Sequence, residues 1–341
     1  MIFDFLPRSE WRRRDIVAGV LAAALLFGCD PARPARAAVG APPSALDASV
    51  VQIQSGSGSM LRAWFARGQP GSGAVLLLHG IGANRTSMLG RARFLHAAGY
   101  TVLAPDLQAH GESDGKHITF GARESLDAEA ALRFLRATVP GEHIGVIGVS
   151  LGGAAALLGP EPLAADALVL ESVYPTIEDA VTDRLRVWLG PLGFLGHTLA
   201  PPVIEMIGRE IGVRARQLRP IEHIQQTTSP LLFLTGSADR YTPLAEARAL
   251  FQRAKAQKQF WIVEGAGHED LYAFAPAAYE GLVQGFFATW LRTPSVSQAG
   301  SGPPPDDSHM SCGYIVPPRP EDPPNQGKAV EQLRSDQSAC Q

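Results

Sequence analysis

Gly148-Val149-Ser150-Leu151-Gly152 sets a serine between two glycines. It stands where an apolar run, His143 to Val149, meets a stretch of small residues, Gly152 to Leu158. The run reads as a buried strand and the stretch as a helix. A serine on such a sharp strand-to-helix turn is held in a strained backbone conformation with its Oγ exposed. The glycines leave room for the turn, because a side chain at either would strike neighbouring backbone. The helix starts at once, so its first N–H groups face the point where an oxyanion would develop. In a chain with 35 glycines the pattern alone carries little weight. Its place after a β-rich run and before an Ala/Leu helix is what marks Ser150 as a nucleophile.

The other polar motifs also fall just after apolar runs. His79-Gly80-Ile81-Gly82-Ala83-Asn84 follows Ala74 to Leu78. A glycine-rich loop there can hold an oxyanion through the N–H of Ile81, with that of Leu151 as second donor; one such donor is worth about 2–4 kcal/mol in the transition state. Gly236-Ser237-Ala238-Asp239 precedes a helix that opens at Pro243 and places Asp239 to orient an imidazole. Gly265-Ala266-Gly267-His268 supplies that imidazole on a flexible loop, as general base. Glu171, at another strand end, is the alternative acid. Asp239 is preferred because the order Ser150, Asp239, His268 is one of the known triad orders. Pro105 to Gly115 holds Asp106, His110, Glu112 and Asp114 and resembles a metal site. It reads instead as a turn, since strand-end turns use Asp, Gly and Ser for backbone reasons and no second cluster supplies ligands.

These motifs need a scaffold. Val50 to Gln54 and Leu61, Ala63, Phe65 alternate apolar and polar residues and predict an antiparallel hairpin. Ala74 to Leu78, Tyr100 to Ala104, His143 to Val149, Ala167 to Leu170, Leu231 to Thr235 and Phe260 to Val263 are continuous apolar runs, as strands covered on both faces should be. Helical stretches lie between and after them: Thr86 to Ala98, Ala122 to Thr138, Leu244 to Ala256 and Ala275 to Leu291. The alternation predicts an α/β fold, a mostly parallel sheet covered by helices, with ligands at the carboxyl ends of the strands.

Taken together, Gly148-Val149-Ser150-Leu151-Gly152, His79-Gly80-Ile81-Gly82, Asp106 to Ser113, Gly236 to Asp239 and Gly267-His268 resemble the α/β-hydrolase family. The flavour is that of the serine-aminopeptidase-like and monoacylglycerol-lipase-like esterases. The resemblance runs from about Val50 to Arg292. It implies a serine hydrolase without metal or organic cofactor, acting on a small-molecule ester. Gln108-Ala109 stands where this group more often has Arg-Gly, a departure expected to leave catalysis alone. The resemblance also implies that the insert 173–228 is a helical lid. Its apolar residues, Trp188, Leu192 and Phe194 among them, are the expected acyl-binding set. A peptidase reading keeps the triad and needs a carboxylate for the substrate's amine, with Glu178 or Asp179 as candidates. A non-catalytic envelope-binding protein on the same fold is the remaining alternative.

Net charge is −3 with both signs interspersed, which gives no electrostatic case for a nucleic-acid partner. Residues 1–29 read as an export signal: Arg8, Arg12, Arg13 and Arg14 precede the short apolar run Ile16 to Gly28. Leu26-Phe27-Gly28-Cys29 resembles a lipobox, which would lipidate Cys29 and anchor a periplasmic or envelope protein. Ala35-Arg36-Ala37 offers an ordinary cleavage site instead. Residues 30–49 read as a Pro/Ala-rich tether, 50–293 as the hydrolase domain and 294–341 as a Pro-rich disordered tail in which Cys312 and Cys340 could pair.

Overall fold

A period of two along each central strand feeds two cores. In Ala74–Leu78, residues Ala74, Leu76 and Leu78 join the core on one sheet face, and Val75 and Leu77 join the core on the other. Such a strand must be covered twice. The computed structural model describes residues 30–292, 311–316, 332–335 and 337–340. The expected export signal, with Cys29, lies outside them.

Two short strands, β1 (Ala35–Arg36) and β6 (His110–Gly111), pair in parallel on their own. The main sheet is built from β2 (Ser49–Gln54), β3 (Met60–Ala66), β4 (Ala74–Leu78), β5 (Thr101–Pro105), β7 (Ile144–Val149), β8 (Ala167–Glu171), β9 (Leu231–Gly236), β10 (Lys258–Val263), β11 (Ser311–Val316) and β12 (Gln332–Ser335). Their order is β12-β11-β10-β9-β8-β7-β4-β5-β3-β2. β2 and β3 form the expected antiparallel hairpin, β3 joins β5 antiparallel, and the run from β5 through β4 to β10 is parallel. The chain has the α/β-hydrolase architecture. Helices Glu124–Thr138, Leu151–Leu157 and Leu244–Arg253 cover one face, and Leu89–Ala97 and Pro276–Leu291 the other.

The described parts of both expected flanks are built into the body. In the segment taken for a tether, Ala35 and Ala37 N–H donate to the Ala109 and Gly111 carbonyls, at 2.7 and 3.0 Å. Val39 and Gly40 N–H donate to the Glu112 carboxylate, and Ala32 and Leu46 are buried. Its alanines and prolines suit a strap that lies flat on the body as well as they suit a linker. In the segment taken for a disordered tail, β11 pairs in parallel with β10, and β12 returns antiparallel beside β11. Ile315 is buried on one face of the sheet and Cys312 on the other. The prolines around 303–305 and 317–318 dominate the composition and hide this short β-forming run between them.

Cys312 and Cys340 are disulfide-bonded, with Cα atoms 5.7 Å apart and a sequence separation of 28. Closing a loop of that length removes unfolded-chain entropy worth about 2–4 kcal/mol. Cys340→Ser should therefore lower the urea-unfolding free energy by about 2–4 kcal/mol. Reductant should bring the wild type down to the variant and leave the variant unchanged.

Candidate active site

The candidate residues stand at the carboxyl ends of four strands within the parallel run β10-β9-β8-β7-β4. Ile81 follows β4, Ser150 follows β7, Asp239 follows β9 and His268 follows β10. Ser150 has φ 48° and ψ −108°, a conformation that L-residues rarely hold. Two bonds fix it: its N–H donates to the Glu171 carbonyl at 2.8 Å, and its carbonyl accepts from Ala154 N–H at 2.9 Å. The flanking glycines are sterically required. A Cβ on Gly148 would come within 2.6 Å of the Gly153 backbone, and one on Gly152 within 2.3 Å of the Leu78 carbonyl oxygen. Helix Leu151–Leu157 starts immediately after the serine.

Ile81, Ser150 and Leu151 line one apolar pocket with a cavity volume of about 80 Å³. The loop that carries Ile81 is held by two neutral histidines. His79 donates from Nδ1 to the Gly80 carbonyl and accepts at Nε2 from Leu107 N–H, at 2.8 and 3.0 Å. His110 donates from Nδ1 to the Gln108 carbonyl and accepts at Nε2 from Gly82 N–H, at 2.8 and 3.2 Å. Their rings meet edge to face at 4.9 Å. Each ring needs one protonated and one bare nitrogen to make its two bonds. Burial first, and the neighbouring His110 second, lower the His79 pKa from 6.5 to about 3. Neither histidine was read from the sequence as a support for this loop. Their spacing from Gly80 and Gly82 carried no period to betray it.

Asp239 and His268 meet, His268 Nδ1 donating to Asp239 Oδ2 at 2.8 Å. Oδ2 also accepts from the Thr242 hydroxyl at 2.6 Å, while Oδ1 accepts from Tyr241 and Thr242 N–H at 2.8 and 2.9 Å. Burial pushes the Asp239 carboxyl up, but the bonds from His268 and Thr242 outweigh it and hold the group below its ordinary value. With its Nδ1 proton on Asp239, His268 keeps a lone pair on Nε2. The two loops are brought together by backbone: Ser237 and Ala238 N–H donate to the Val263 and Ala266 carbonyls at 3.0 and 2.9 Å.

Glu171 is committed elsewhere. Its carboxylate takes a two-pronged bond from Arg91, Nε to Oε1 at 3.0 Å and Nη2 to Oε2 at 2.6 Å, and accepts the Tyr279 hydroxyl at 2.5 Å. Asp106 and Glu112 are likewise used inside the fold, by Arg85. The Gln108 side chain bonds Glu124 and the His117 carbonyl, and Ala109 takes φ 60° where a glycine is the easier residue.

The insert supplies the apolar wall, in a different way from that expected. Trp188 lines the pocket, but Leu192 and Phe194 do not. They sit on a 3₁₀ segment, Gly190–Leu195, and are 55% and 73% exposed. The wall comes instead from the inward stripe of helix Ile177–Trp188, with Ile177, Val181 and Leu185, and from Val203 and Ile207 on helix Gly196–Ile211. The 3.6-residue period of that stripe was the available signal. Phe120, Tyr174 and Arg184 also line the pocket and were not foreseen. Glu178 pairs with Arg219, and Asp179 accepts the Thr176 hydroxyl at 2.6 Å; neither lines the pocket.

Residues 75–282 match the Alpha/beta hydrolase family, and the chain belongs to that family. The uncharacterized protein YqkD of Bacillus subtilis is 25% identical over 62% of this chain and 70% of its own. The monoglyceride lipase of Homo sapiens is 26% identical over 61% of this chain and 78% of its own. Among solved structures, the Pyrococcus furiosus esterase Pf2001 superposes with a TM-score of 0.62 at 25% identity, over 76% of this chain and all of its own. Family and neighbours support hydrolysis of an ester.

His79 makes the site acid-labile. The unfolded chain takes up the proton near 6.5, whereas the folded chain takes it up only near 3. The His79 contribution to stability is therefore whole above pH 6.5 and falls as pH drops from there towards 3. His79→Gln should unfold more easily at pH 8 but show a shallower loss between pH 6.5 and 4, read by urea unfolding at a series of pH values.

Proposed function

We propose that the chain is a serine hydrolase that cleaves carboxylic esters with an apolar acyl chain. The observation that carries this reading is a strained serine in an apolar pocket, with a hydrogen-bonded Asp239–His268 pair on neighbouring strand ends. Ser150 Oγ attacks the ester carbonyl and His268 Nε2 takes its proton. Asp239 keeps His268 in the tautomer that can accept that proton and stabilises the imidazolium. The Ile81 and Leu151 N–H groups hold the oxyanion. His268 returns the proton to the leaving alcohol, and the acyl-enzyme is then hydrolysed by water that His268 activates. The helices Ile177–Trp188 and Gly196–Ile211 act as a lid that shields the acyl chain from water.

Export is part of the reading. Residues 1–28 direct the chain out of the cytoplasm and Cys29 is lipidated, which anchors the hydrolase at the envelope. The Cys312–Cys340 disulfide supports an oxidising compartment. Cys29→Ala should abolish incorporation of labelled palmitate. Equal labelling of the variant, or none of the wild type, would refute the anchor.

The activity is tested with p-nitrophenyl esters from acetyl to palmitoyl. Each methylene that enters the pocket should raise kcat/KM about fourfold, from about 0.8 kcal/mol per buried methylene, until the pocket is full. Ser150→Ala should lower kcat/KM by at least about 10⁴-fold, and Asp239→Asn by about 10⁴-fold with KM little changed. Turnover that survives Ser150→Ala would exclude the mechanism.

A further inference from the structure

The stripe that helix Ile177–Trp188 turns to the pocket is apolar at Ile177, Ala180, Val181, Leu185 and Trp188, and cationic at Arg184. Three other arginines of the body and insert are matched. Arg85 meets Asp106 and Glu112, Arg91 meets Glu171 and Asp270, and Arg186 meets Asp183. The Arg184 side chain has no ion pair or hydrogen bond to any of the described residues. Its guanidinium lies over the Tyr241 ring at 5.3 Å, and that ring meets the His268 ring at 5.6 Å. Asp239 is near enough to act on Arg184 through space, but its oxygens are taken up by Tyr241, Thr242 and His268.

Arg184 is half-buried, and the carboxylate that acts on it, Asp239, is already hydrogen-bonded to other groups, so its charge is only partly compensated. Burial pushes the Arg184 guanidinium down, yet arginine stays charged in proteins. A guanidinium that stacks by its face keeps its in-plane N–H groups for an oxyanion, which it holds in a fork. An apolar wall interrupted by one such group fits a ligand that is apolar along its length and anionic at one point.

We propose that Arg184 is an anion-recognition residue of the pocket, and that the substrate is an ester whose apolar chain carries a carboxylate or phosphate. This rests on the ester-hydrolase reading above. Arg184 also supports Tyr241 against His268, so its two roles must be separated. A purely supporting role slows every ester alike. Recognition changes the ratio between charged and neutral esters.

The test compares p-nitrophenyl half-esters of succinic, glutaric and adipic acid with neutral p-nitrophenyl esters of the same chain length. Monobutyrin and its glycerol phosphate counterpart place the anion on the alcohol side. In one of the two series the wild type should favour the anionic ester by about tenfold or more in kcat/KM, the scale of one charge-assisted pair. Arg184→Gln should bring that ratio to about one, mainly through KM, and Arg184→Lys should restore part of it. A wild-type ratio at or below one in both series, or a ratio unchanged in Arg184→Gln, overturns the proposal while leaving ester hydrolysis intact. If no ester is turned over, the hydrolase reading fails. Recognition is still decided by calorimetric titration of the Ser150→Ala chain with monomethyl adipate and methyl hexanoate. Tighter binding of the anion that Arg184→Gln removes sustains it, and equal binding overturns it.

Discussion

A buried ionic knot at Arg91 ties together the parts of the site that the sheet alone would leave apart. Arg91 comes from helix Leu89–Ala97, on the sheet face opposite the pocket-forming insert. It grips Glu171 at the end of β8, whose backbone carbonyl accepts the Ser150 N–H. It also meets Asp270, two residues beyond His268, at 2.7 Å. The rings of Tyr272 and Tyr279 face the guanidinium. Burial alone would lower the Arg91 pKa, but Glu171, Tyr279 and Asp270 outweigh it and hold the group more firmly charged than usual. A buried pair of this kind is weak evidence for stability, because desolvation offsets most of the attraction. Its worth here is positional. If the knot came apart, the turn under Ser150 and the loop that bears His268 would lose a shared anchor, and both ions would be left without partners in the core.

The serine turn is a second constraint, and it is steric. Gly148 and Gly152 let the helix after Ser150 press onto β7 and the end of β4 with no room for a Cβ. That close approach drives Ser150 into positive φ, and the bond to Glu171 keeps it there. The same crowding brings the Ile81 loop alongside, since a Cβ on Gly80 would stand 3.7 Å from that of Ser150. Strain at the nucleophile and proximity of the candidate oxyanion loop thus have one cause.

What could be read from the chain follows from the range of the interactions concerned. Strands buried on both faces leave continuous apolar runs, so β4, β7, β8 and β9 were placed to within a residue or two. Ser150, Asp239 and His268 could be picked out as candidates because each follows such a run. Partners set by the fold were not legible. Nothing near Arg91 in sequence points to Glu171 or Asp270, and His79 and His110 resemble chance polar residues until their loops meet. The insert misled in another way. Pro201 and Pro202 lie inside helix Gly196–Ile211, where prolines ordinarily argue against a helix. Hydrophobicity without phase put Leu192 and Phe194 in the pocket, when only the helical stripe could face it.

The tail shows how far composition can mislead about domain limits. β10 leads directly into the loop that holds His268. Without β11 its outer edge would present unpaired N–H and C=O groups, open to solvent or to another chain. β11 closes that edge over Gln259 to Val263, and Glu264 N–H donates to the Ile315 carbonyl at 2.9 Å just before the histidine loop. The disulfide joins β11 to the 3₁₀ turn Gln337–Cys340, whose Ala339 is buried. A strand added from a distant part of the chain has a large ordering cost, and a covalent loop closure lowers that cost on the unfolded side. The sheet therefore continues beyond Arg292, through Ser311–Val316 and Gln332–Ser335. Its last strands brace the edge from which the base of the proposed reaction is presented.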